Sequence, residues 1–119
     1  MPKYQTLAEY IATFSPDALR CYHDIKSIVM NSEEDVQERL FAGQVAFYVE
    51  ATLKHTFHSS PVIVMAFFAT HVNVFALANV TFKEQLPLYK FTDKGTMQIP
   101  YNVPLNKAIL QDLFAASLK

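Results

Sequence analysis

Glycine is nearly absent from this chain: only Gly43 and Gly95 occur among 119 residues. Loops that cradle a nucleotide's phosphates with backbone amides need several glycines, so nucleotide-dependent chemistry is disfavoured. Cysteine occurs once, as Cys21, which excludes an intrachain disulfide and points to a reducing compartment, the cytoplasm. The longest apolar run, Val62 to Ala69, falls far short of the ~20 residues a membrane-spanning helix requires. The first residues, Met1-Pro2-Lys3-Tyr4-Gln5-Thr6, carry no signal-peptide apolar region, so neither secretion nor membrane insertion is expected. An excess of either charge is missing too. Ten basic against eleven acidic side chains give a net charge of −1, without a long run of either, and nucleic acid is not an expected partner. The Gly-x-Ser-x-Gly, Cys-x-x-Cys and His-Glu-x-x-His patterns are all absent, and no enzymatic activity is expected.

What the chain has in quantity is apolar surface. Hydrophobic residues make up 51%, including ten Phe and six Tyr but no Trp. A chain of this length builds one core without disulfide or metal staples, and residues 1–119 are read as a single domain.

Thr6, with Glu9 at the capping-box position, starts a short helix predicted to run to about Phe14. Ser15-Pro16 starts a second: the serine hydroxyl accepts a free backbone N–H, and proline gives up a donor that had no partner. This helix runs to about Asn31, with Ala18, Tyr22, Ile25 and Val29 on one face. Val36 to Val49, punctuated by Gly43, reads as two strands or one kinked strand. Lys54 to Ser60 reads as a turn or hairpin arm. The continuously apolar run from Pro61 to Ala69 predicts a central strand covered on both faces. His71 falls at a turn, Val72 to Leu77 forms another strand, and Asn79 caps a short helix ending near Pro87. Gly95 then turns the chain into a strand ending at Ile99. A closing helix follows, with Leu105, Ile109, Leu113 and Ala116 on one face and Leu110 and Phe114 broadening it. Helices at both ends around a block of strands predict an α+β two-layer sandwich with a mainly antiparallel sheet.

Two groups of residues offer chemistry. Asp17, Asp24, Glu33, Glu34, Asp35 and Glu38 supply carboxylate oxygens suited to a hard cation, although solvated turns carry such acids without binding anything. Aromatic residues of the strands, Phe47 and Tyr48 among them, with His71 and Lys94 near the sheet edge, suit a small-ligand or protein-binding module; core packing is the competing explanation for the aromatics. His55 and His58 have His-x-x-His spacing without a clear further zinc ligand. An exposed strand edge would allow a protein partner or a homodimer.

Several segments resemble the YdhG-like bacterial domain family: Pro61-Val62-Ile63-Val64-Met65-Ala66-Phe67-Phe68 leading to His71-Val72, then Phe82-Lys83-Glu84, Lys94-Gly95-Thr96-Met97-Gln98-Ile99-Pro100 and Pro104-Leu105. Glu38, Gly43 and Ala46-Phe47 resemble the family's earlier Glu and Gly-containing segment. The resemblance runs from about Tyr10-Ile11 onward. It implies helices packed on an antiparallel sheet, in a layout similar to frataxin. Most members have no assigned activity, while at least one is described as a frataxin-like intracellular iron chaperone. For this chain the resemblance implies weak, exchangeable Fe²⁺ binding through the carboxylates named above.

Overall fold

Local side-chain chemistry sets both N-terminal helices in the computed structural model, which describes residues 4–57 and 59–119. Helix α1 (Leu7–Ile11) carries the full capping box, with Thr6 accepting from the Glu9 amide and the Glu9 carboxylate reaching back to the Thr6 amide. It stops before the expected Phe14. Helix α2 (Pro16–Ser32) starts on Ser15, whose hydroxyl accepts from the Ala18 amide at 3.2 Å.

The strands are β1 (Val36–Phe41), β2 (Gln44–Val49), β3 (Ile63–Phe67), β4 (His71–Phe75), β5 (Lys90–Phe91) and β6 (Met97–Pro100). They form one sheet in the order β1-β2-β3-β4-β6-β5, and every neighbouring pair is antiparallel. The stretch around Gly43 is a tight hairpin: Phe41 pairs with Gln44, and both intervening residues, Ala42 (φ 54°) and Gly43 (φ 77°), have the left-handed backbone that matches strand twist. Helix α3 (Asn79–Phe82) and a single 3₁₀ turn follow β4, and α4 (Lys107–Ser117) closes the chain.

One hydrophobic cluster holds the layers together. Val45, Phe47, Ile63, Met65, Val72, Val74, Met97 and Ile99 point from the sheet toward Ile25 and Val29 of α2 and Leu110, Leu113 and Phe114 of α4. The buried stripe of α4 is Leu110, Leu113, Phe114 and Ser117, so the expected face is corrected: Ala116 is exposed, Ile109 is half-buried and Leu105 precedes the helix. Ser117 enters the core because its hydroxyl donates to the Leu113 carbonyl at 2.8 Å and accepts from the Ala78 amide at 3.1 Å. The layout is the expected α+β two-layer arrangement. No helix among the described residues is long and apolar enough to cross a membrane.

Candidate functional site

Side chains alternate across a strand, so these strands also have a second face, opposite the one that meets α2 and α4. Cross-strand pairing lines up Ala46, Val64 and Phe75 on that face, with Ala66, Asn73, Gln98 and Lys90 in a neighbouring row. Half-buried Val64 lies between Phe41 on one side and Phe75 and Leu77 on the other. The result is a trough of about 470 Å³, with Ser60, Val62, Lys94 and Thr96 also in its lining. The apolar run of β3 is thereby explained differently from the expectation: helices cover one of its faces, and the trough occupies the other.

Lys94 reaches this rim through a pinned hairpin. The Gly95 amide donates to the Thr92 carbonyl at 2.9 Å, and Gly95 itself sits at φ +88°. Asn79 fixes that hairpin to the end of β4, its Nδ2 donating to the Val74 and Gly95 carbonyls, both at 2.9 Å. Asn79 is therefore not the helix cap the sequence suggested. The cap position is Ala78, and Asn79 is 1% exposed. On the opposite wall, Ser60 accepts from the Lys54 amide at 2.8 Å and donates to the Thr56 carbonyl at 2.7 Å, which folds the preceding loop against the sheet.

The proposed ligand group of Phe47, Tyr48, His71 and Lys94 is not one site. Phe47 is fully buried against the helices, because it follows Ala46 and precedes Tyr48 on the other side of the pleat. Tyr48 is on the open face but lies under Phe57, with ring centroids 5.3 Å apart; Phe57 also packs on Phe41 at 4.6 Å and under the Arg39 guanidinium at 4.8 Å. His71 opens β4, whereas Lys94 lies beside the far end of that strand. His71 lines a separate cavity with Lys90 and Gln98.

The carboxylates are also dispersed. Asp17 pairs with Arg20 at 3.0 Å in the first turn of α2, while Glu33 caps the other end, ~24 Å away at 1.5 Å per residue. Asp24 is exposed mid-helix. Glu34 and Asp35 follow in the turn, Asp35 with φ 59°. Glu38 points inward, its side chain only 10% exposed, and bonds the Lys26 ammonium at 2.8 Å and the Tyr22 hydroxyl. Burial, reinforced by this Glu38 contact, pushes the Tyr22 hydroxyl well above the usual phenol range. Among the described residues no group of three or more His, Cys, Asp or Glu side chains is placed to hold a metal ion. His55 is exposed, and His58 lies outside the described residues.

An α+β sandwich with one sheet face under helices and the other carrying an apolar trough is the class these features define. A solved structure shares the fold: a DUF1801-family protein, YdhG, from Bacillus subtilis. The two chains are 18% identical, with a TM-score of 0.66, over 90% of this chain and 83% of that one. No protein-family model matches the sequence, and no curated protein does. The structural match supports the expected α+β layout of terminal helices on an antiparallel sheet and, at that identity, speaks to fold alone.

Proposed function

We propose that this chain is a YdhG-like binding protein whose open sheet face takes a small amphipathic carboxylate, its apolar body in the trough and its charged head at Lys94. The observation that carries this reading is the pairing of an apolar concavity with a lysine that forms no ion pair among the described residues. Phe75 is 40% exposed and Leu77 73% exposed, and an apolar ligand would remove part of that surface from water. The volume of about 470 Å³ falls inside the ~300–1,000 Å³ range of small-molecule sites. Cytoplasmic residence belongs to the same proposal and rests on the single thiol.

Calorimetric titration with octanoate tests it. Saturable heat is expected, weakened roughly tenfold by Lys94→Glu, which replaces attraction with repulsion. Absence of heat rejects the ligand class. Concentration-dependent self-association abolished by Leu77→Ser would instead make this face a protein interface. Iron carriage, implied by the family resemblance, is a separate proposal confined to Glu33, Glu34 and Asp35, the acids the turn keeps adjacent. Anaerobic Fe²⁺ titration checks it: saturable binding not mimicked by Mg²⁺ and lost in the triple alanine variant supports iron carriage, and no binding removes it.

A further inference from the structure

We propose that the second cavity, at the His71 end of the sheet, is an oxyanion site for the carboxylate or phosphate group of a small solute. It has a volume of about 470 Å³ and shares no lining residue with the trough. Three anchored segments supply its donors: His71 from the start of β4, Lys90 from β5, and Gln98 from β6 directly across from Lys90. Thr70 and Asn102 add a hydroxyl and an amide.

The frame around these groups is fixed by hydrogen bonds that do not involve the donors. The Tyr101 hydroxyl donates to the Phe68 carbonyl at 2.7 Å, and the Tyr101 amide donates to the Thr70 carbonyl at 3.1 Å. Arg20 holds the Tyr101 carbonyl at 3.1 Å, which ties α2 to the same corner. The Phe68 ring stacks on the His71 imidazole, with centroids 5.1 Å apart and planes 22° apart. The imidazole Nδ1 lies 3.4 Å from the Thr70 hydroxyl, and Nε2 has no partner among the described residues.

Charge selects the ligand's sign. Asp17 is the one acidic side chain in the lining, and Arg20 already neutralises it at 3.0 Å. Lys90 has no ion pair among the described residues, so its ammonium is uncompensated in a cavity that the other donors also line. An oxyanion meets a point charge and several N–H or O–H donors there, whereas a cation meets a carboxylate that is already engaged.

The test is an amide NMR titration of the whole chain with inorganic phosphate and, separately, with malonate, each against NaCl at matched ionic strength. Saturating shifts confined to Thr70, His71, Gln98 and Asn102 are expected, and the arm that saturates identifies phosphate or carboxylate as the source chemistry. Lys90→Gln and His71→Gln should each weaken binding roughly tenfold. Both positions lie outside the core, and unchanged methyl signals of Ile99 and Val72 check that the fold is intact. Shifts that track NaCl in both arms, or saturation unaltered in both variants, would overturn the proposal.

Discussion

The two faces of the sheet are made by the same strands and the same residue-by-residue alternation, yet they do opposite things. On the helix side, Phe47, Ile63, Met65, Val74, Met97 and Ile99 are fully buried and fill the space beneath α2 and α4. On the other side, Ala46 and Ala66 are buried but small, Phe75 and Leu77 stay partly in water, and Gln98, Lys90 and His71 line a cavity at one end. Apolar content alone therefore does not separate core from site; side-chain size and the presence of a covering layer do.

The contrast is sharpest in mutation. Phe47→Ala should lower unfolding free energy by about 3–5 kcal/mol in urea titration, whereas Phe75→Ala should cost under about 1 kcal/mol and act mainly on octanoate affinity. Equal costs would erase the distinction between the faces. Asn79→Ala should come next, at about 1–3 kcal/mol, because two backbone carbonyls lose their donor; it should also weaken octanoate binding by loosening the Lys94 hairpin. Glu38→Gln is expected to cost about 1 kcal/mol, since Lys26 at 36% side-chain exposure can return to water.

The last expected effect is alkaline. Burial, with Asp24 adding to it, pushes the Cys21 thiol up to about 11 from 9.0. The fold therefore favours the protonated thiol, and this contribution is intact below pH 9.0 and lost as pH rises toward about 11. Thiol-reagent kinetics should show slow modification of the native protein at neutral pH and faster modification along that rise. Rapid modification at neutral pH would place Cys21 outside the core.

Local chemistry was the most legible part of the chain. Thr6 with Glu9 and Ser15 with Pro16 marked helix starts because caps act over a few residues. Strand β5 has no sequence signal because two residues carry no period, and only pairing with β6 makes Lys90-Phe91 a strand. Strand alternation puts adjacent Phe47 and Tyr48 on opposite faces, and Glu38, between Val36 and Leu40, inward with them. The buried roles of Asn79 and Ser117 depend on partners 16 and 39 residues away and had no local signature. The trough was legible only as the continuous apolar run of β3, which a doubly covered strand would share.

Methyl NMR during an octanoate titration tests the central claim most directly. Saturating shifts at Val62, Val64 and Leu77, with Val45, Val74 and Leu113 unmoved, are the predicted result. Shifts centred on the second group, or none that saturate, would contradict a ligand-binding open face.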